Sequence, residues 1–159
     1  MKKTETPLTS TLEDYLATIF RLVEKSGEAR SNAIAEELSV TRSSVTTALK
    51  SLACRELIEY TPYNPITLTP SGWELGKRIA HRNMILQDFF GRVLQLDPEV
   101  VAETACRVEH AVTDDVVLEL GRFILYLKES GCDVENWREK FTFPRNHPMY
   151  GPSPLKEKG

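Results

Sequence analysis

The chain has 159 residues, 41% of them hydrophobic, and a formal net charge of −3. That is enough for one domain or two small ones sharing an interface, and no apolar run approaches the length of a membrane span. Met1-Lys2-Lys3 leads into polar residues rather than an apolar signal core, and Cys54, Cys106 and Cys132 are odd in number and far apart. The expectation is a cytoplasmic protein with no membrane partner and no disulfide framework.

Residues 1–8 read as a frayed arm. Thr9, Ser10 and Thr11 offer N-cap hydroxyls, and Glu13 and Asp14 suit the positive end of a helix dipole. From there Leu12, Tyr15, Leu16, Ile19, Phe20 and Val23 recur at helical spacing, and the helix is expected to end near Ser26-Gly27. Ser31 to Val40 has the size of a second, short helix. After a tight turn at Ser39-Val40-Thr41, a third helix capped by Thr41 or Ser43 turns Val45, Leu49 and Leu52 to the core. Helix, short turn, helix is the unit whose second member enters the major groove. Leu57–Tyr60 and Ile66–Thr69 are strand-like runs around the turn-rich tip Thr61-Pro62-Tyr63-Asn64-Pro65, a hairpin that reads as a wing.

Thr69-Pro70-Ser71-Gly72 opens a long helix running to about Leu94. Asp97-Pro98 opens another, to about Val112, and Thr113-Asp114-Asp115 caps one more that ends at Gly131. These amphipathic helices carry more apolar surface than they can cover alone, which predicts a dimerisation layer. The segment from Cys132, rich in Pro, Gly and charge, reads as an extended or disordered tail. The expected fold is mainly α: a winged helix-turn-helix over residues 8–72, a helical metal-binding and dimerisation domain over 73–131, and a tail over 132–159.

Within ETACRVEHAV, the residues Cys106, Glu109 and His110 stand at i, i+3 and i+4 and so share one helix face. A thiol beside an imidazole and a carboxylate suits a divalent transition metal rather than magnesium or calcium. On the expected recognition helix, Thr41, Arg42, Ser43, Ser44 and Thr46 stand at its start and Lys50 further along. Arg30 and Tyr63 flank it, on the preceding segment and on the wing. Arg42 suits guanine or phosphate, the hydroxyls suit phosphates, and Arg30 and Lys50 suit phosphates. Tyr63 can bond a phosphate, but the wing tip has neither Lys nor Arg.

TLEDYLATIFRL, AIAEELSVTRSSVTTALKSL, ITLTPSGWELGKRI and ETACRVEHAVTDDVVLEL, in that order over roughly residues 8–130, resemble the iron-dependent repressors related to the diphtheria toxin repressor and their shorter manganese-sensing relatives. The resemblance implies a homodimeric, metal-activated repressor that binds palindromic double-stranded operators upstream of metal-uptake genes. It implies a metal held by Asp14, Cys106, Glu109 and His110. Asp14 stands where iron sensors carry methionine and manganese sensors aspartate, while Cys106 follows the iron sensors, so the set is a hybrid. Accessory-site positions hold Ala17, Asn83, Gln87 and Ala102, which leaves one well-formed site and, at most, weak or water-mediated contacts from Asn83 and Gln87. His81, two positions from Asn83, faces elsewhere on its helix. Iron(II) is expected first and manganese(II) second, with zinc, cobalt or nickel able to substitute in vitro. The C-terminal SH3-like barrel of the longer iron sensors is not expected, because too few residues follow Cys132.

Two other functions fit parts of the pattern. A winged-helix regulator answering an organic ligand would bind its operator regardless of chelation. A metallohydrolase would need an open coordination position and a general base in a cleft. The chain has no second His-rich motif, no G-x-S-x-G and no phosphate-cradling glycine loop, so no enzyme is expected.

Overall fold

The computed structural model describes residues 7–131, Trp137, and the backbone at 146–147 and 151–152. Helix α1 spans Ser10–Ser26. Thr9 is its N-cap, accepting from the Leu12 amide, and Gly27 closes it in the left-handed region (φ 81°). Helices α2 (Ser31–Glu37) and α3 (Arg42–Cys54) form the helix-turn-helix, with Ser39 at positive φ in the turn between them. Of the two caps the sequence offered for α3, Thr41 is the one used: its Oγ1 accepts from the Ser44 amide.

Strands β1 (Ile58–Glu59) and β2 (Thr67–Leu68) pair antiparallel, Ile58 opposite Leu68, and Ala29 adds a bridge to Ile66. The wing is therefore tied to the loop after α1 as well as to its own return strand. Tyr15, Leu16, Ile19, Ile34, Val45, Leu49, Leu52, Ile58, Ile66 and Ile79 form one buried cluster beneath these elements.

Helix α4 (Pro70–Asp88) begins directly at the wing exit. Thr69 accepts from the Gly72 amide, and the hydroxyls of Thr69 and Ser71 both donate to the Glu56 carbonyl. Position 72 has no room for a side chain, since a Cβ there would lie 1.7 Å from the Leu57 carbonyl oxygen. The T-x-x-G pattern is thus a packing requirement: α4 can start this close to β1 only over a glycine. Gly76 then lets α4 lie against Phe20 and Leu16 of α1.

The α-helix expected to reach Leu94 stops at Asp88 and continues as a π-helical turn, Phe89–Val93, with the Leu94 amide bonded to the Phe89 carbonyl. Helix α5 covers Pro98–Glu109 and α6 covers Asp114–Glu129. Thr113 occupies the N-cap position of α6 but makes no side-chain capping bond; Asp114, beside it, bonds Arg82 instead. Both α5 and α6 pack on the C-terminal half of α4.

Of residues 1–8, expected to fray, 1–6 lie outside the described residues, as does Cys132. Where an extended or disordered tail was expected, the described part holds a pair of short strands, β3 (Asn146–His147) and β4 (Gly151–Pro152), in antiparallel register. The Trp137 indole donates to the Val93 carbonyl at 2.6 Å, meeting the end of the π-helical turn. Among the described residues, no helix is long and apolar enough to cross a membrane.

Candidate metal centre and nucleic-acid interface

Asp14 lies in the second turn of α1, with its helix anchored through Leu16, Ile19 and Phe20 in the core. Cys106 and Glu109 lie on the last turn of α5, and His110 is its C-cap residue. Packing of α1 and α5 on α4 brings these ends together. A donor atom from each of Asp14, Cys106 and Glu109 lies within 4.8 Å of the others. His110 Nε2 is 3.2 Å from Asp14 Oδ1 and 3.6 Å from Glu109 Oε1. All four residues expected as ligands therefore converge, although Asp14 stands 92 or more positions before the other three in sequence.

Glu109 is 5% exposed, and its Oε2 is buried without a hydrogen-bond partner among the described residues. A buried carboxylate oxygen left bare costs free energy unless a cation or donor meets it. Burial pushes the Asp14 and Glu109 carboxyls above their usual range; His110 pulls both down, as does a hydrogen bond from Asn83 to Glu109. Burial first, and then the charges of Asp14 and Glu109, push the Cys106 thiol up as well. Burial and mutual repulsion thus disfavour the ionised forms of these acidic groups, and a nearby positive charge would favour them. Two carboxylates, a thiol and an imidazole nitrogen fit a divalent transition metal in number and in donor chemistry.

Two residues that spacing did not single out complete the surroundings. Glu13, read from the sequence only as a helix-start charge, places Oε2 2.9 Å from His110 Nδ1. Arg82, 12% exposed in its side chain, donates to the Glu109 carbonyl at 3.0 Å and to Asp114 Oδ1 at 2.9 Å, and lies 3.7 Å from Glu13 Oε2. One guanidinium thus links α4 to α1, to the end of α5 and to the start of α6. No periodic signal marks it; a cation among apolar positions of α4 was the only hint. Asn83 and Gln87 bond to each other at 2.5 Å, and Asn83 also reaches Glu109, so the Asn83 carboxamide borders the cluster from the α4 side. His81 lines a separate groove with Arg78, Ile85 and Leu118.

The exposed start of α3 divides into two faces. Arg42, Thr46 and Lys50, spaced by four, line a groove of about 490 Å³ with Arg30, Tyr60 and Tyr63. Ser43, Ser44 and Thr47 line a second groove on the other side, against Thr9, Thr11 and Leu12 of the α1 end. Thr41 serves the cap and bonds the hydroxyls of Ser43 and Ser44. Thr46 donates back to the Arg42 carbonyl, which leaves its oxygen as an acceptor only. Arg30 pairs with Glu28 at 2.7 Å, and Tyr63 stands fully exposed at positive φ on the wing tip.

A winged helix whose reading head is coupled through α1 to a transition-metal donor set defines a metal-binding, DNA-binding regulator. Comparison with known proteins gives the same frame. The N-terminal DNA binding domain of the iron-dependent repressors matches residues 7–66, and their metal binding and dimerisation domain matches residues 69–138. An HTH-type transcriptional regulator MntR of Shouchella clausii (strain KSM-K16) is 32% identical over 131 residues, 82% of this chain and 91% of its own length. That of Bacillus pumilus (strain SAFR-032) is 34% identical over 122 residues, 77% of this chain and 84% of its own. The solved structure of the manganese regulator SloR superposes with a TM-score of 0.65 at 28% identity, covering 75% of this chain and 55% of SloR. The chain therefore spans about half the length of that structure.

The chain belongs to the iron-dependent repressor family. It is a metal-dependent transcriptional repressor, with a DNA-binding N-terminal unit and helices that bind divalent metal and dimerise.

Proposed function

We propose that this repressor answers iron(II) first and manganese(II) second, with the ion held by Asp14, Cys106, Glu109 and His110, and that the loaded dimer binds palindromic operators before metal-uptake genes. The observation that carries this reading is the bare, buried Glu109 Oε2 in the cluster shared with Asp14 and Cys106. A divalent ion supplies the positive charge that lets two carboxylates and a thiolate share one volume. Of the relatives named above, SloR is a manganese regulator and the other two carry the MntR name. The ground for iron here is the Cys106 thiol, a softer donor than a carboxylate oxygen.

Asp14 rides on the helix whose opposite face is part of the winged-helix core, while Cys106, Glu109 and His110 ride on α5. Drawing Asp14 to α5 fixes α1, and with it α3, relative to the subunit-pairing helices. Operator half-sites demand a set separation of the two recognition helices. Tighter metal binding in the DNA-competent arrangement must strengthen DNA binding equally, by roughly 1–3 kcal/mol or 5- to 150-fold in systems of this kind. Arg42, Thr46 and Lys50 on the wing-side face of α3, with Arg30 and Tyr63 around the same groove, are the DNA contacts we favour; Thr41, Ser43 and Ser44 add phosphate contacts on the α1 side. The division at residues 8–72, 73–131 and 132–159 is retained as the working arrangement. Asn83 and Gln87, already bonded to one another, leave one ion per subunit as the expected stoichiometry.

The test is operator binding by fluorescence anisotropy, metal-free and then with iron(II) under anaerobic conditions, manganese(II) and zinc(II). Metal-dependent binding led by iron is expected. Operator binding unchanged by chelation would sink the reading in favour of an organic ligand. In the same assay Cys106→Glu should move the ranking toward manganese, and an unchanged ranking would remove the thiol as the ground for iron.

A further inference from the structure

The two nitrogens of His110 have different neighbours. Nδ1 lies 2.9 Å from Glu13 Oε2, while Nε2 faces Asp14 at 3.2 Å and Glu109 at 3.6 Å. An ionised carboxylate only accepts hydrogen bonds, so Glu13 bonds the tautomer that carries its proton on Nδ1. In the neutral imidazole the lone pair then sits on Nε2, the atom turned toward the donor cluster. Glu13 is itself held, with Arg82 Nη1 3.7 Å from the same oxygen. Arg82 is fixed in turn by the Glu109 carbonyl and by Asp114.

We propose that Glu13 is a positioning residue of the metal centre: its carboxylate fixes the ring orientation and tautomer of His110, and Arg82 keeps that carboxylate in place. This rests on the ligand set proposed above. It adds that one turn of α1 serves the centre twice, since Asp14 offers a donor directly and Glu13 aims a donor carried by α5. A shift of α1 that withdraws Asp14 also releases the imidazole, so two of the four donors depend on a single helix position. Outer carboxylates that hold a ligating histidine contribute about 10- to 100-fold to metal affinity in other sites.

The experiment is a cobalt(II) titration followed by absorbance on wild type, Glu13→Ala, Glu13→Gln and His110→Ala. Alongside it, long-range proton–nitrogen spectra of the metal-free proteins are recorded at a pH where the imidazole is neutral. Glu13→Ala should lower cobalt affinity about 10- to 100-fold. Glu13→Gln, whose amide oxygen still accepts from Nδ1–H, should restore most of it. The spectra should show Nδ1 protonated in wild type and Glu13→Gln, and that preference lost in Glu13→Ala. Wild-type affinity in Glu13→Ala, or Glu13→Gln as weak as Glu13→Ala, overturns the proposal. Wild-type affinity in His110→Ala would instead bring down the ligand set itself. Should Glu13→Ala fail to fold, the wild-type spectrum decides: His110 protonated on Nε2 overturns the positioning role.

Discussion

At the scale of single residues, the centre is an arrangement of groups that are uncomfortable together without a cation. Asp14 and Glu109 hold their protons to higher pH in the folded, metal-free protein than in the unfolded chain, chiefly because burial disfavours their charged forms. A raised native pKa means stability that is complete below the unfolded carboxylate range and is lost as pH rises through the native values. The metal-free protein should therefore lose stability over that upward window, and Glu109→Gln should lose less. Thermal melts of both proteins across the acidic range read the difference; parallel curves would mean that Glu109 is ionised at no cost. Cys106 follows the same logic at higher pH, so metal uptake should release protons.

At the scale of elements, the wing exit and α3 carry separable tasks. Gly72 is a steric necessity, because a methyl group at that position meets the Leu57 backbone at 1.7 Å. Gly72→Ala should destabilise the fold by about 3 kcal/mol or more, the upper end of what overpacking costs, and a denaturant melt measures it. The metal ligands lie on other helices, so any metal affinity surviving in the folded fraction should match wild type. Arg42 contributes nothing to the buried cluster and stands on the wing-side face of α3. Arg42→Ala should weaken operator binding by roughly 1–3 kcal/mol if it reads a base, and should lower the salt slope by about one if it holds a phosphate. Cobalt affinity without DNA should not change in either case.

Much of this level was legible in the sequence. Helical periodicity, the Thr9 and Thr41 hydroxyls and the Gly27 stop place α1, and the start of α3, within a residue or two of where they lie, while the run read as α3, residues 43–57, stops three residues early at Cys54. The π-helical turn at Phe89–Val93 was not legible, since an apolar run reads alike in either winding and packing on α5 and α6 decides between them. The capping expected at Thr113 is not made by its side chain, and Asp114 beside it is engaged by Arg82 from α4, a contact 32 positions away in sequence.

At the scale of the whole molecule, the described chain leaves Val116, Leu118, Phe123, Leu125 and Tyr126 of α6 exposed, with Met84 of α4 beside them in the same half. This apolar surface lies on the domain that pairs subunits in this family, and we propose that a second copy covers it. Leu125→Glu should shift the dimer toward monomer in sedimentation velocity. It should also weaken binding to a two-half-site operator far more than metal affinity, because spacing, not ligation, is what it removes. A fully dimeric variant would move the interface elsewhere.

The sequence by itself determined the element order, the helix-turn-helix and wing, and the residue types that share a face within one helix, because those follow from local sterics and from periods of two and 3.6 residues. It also placed Cys106, Glu109 and His110 together, since they are one turn apart. Only the tertiary structure decided that Asp14 meets them, that Glu13 holds the far nitrogen of His110, and that Arg82 ties α1, α4, α5 and α6 at one point. Those contacts join residues far apart in the chain. They exist because burying the apolar faces of α1, α5 and α6 against α4 fixes where the polar ends must lie.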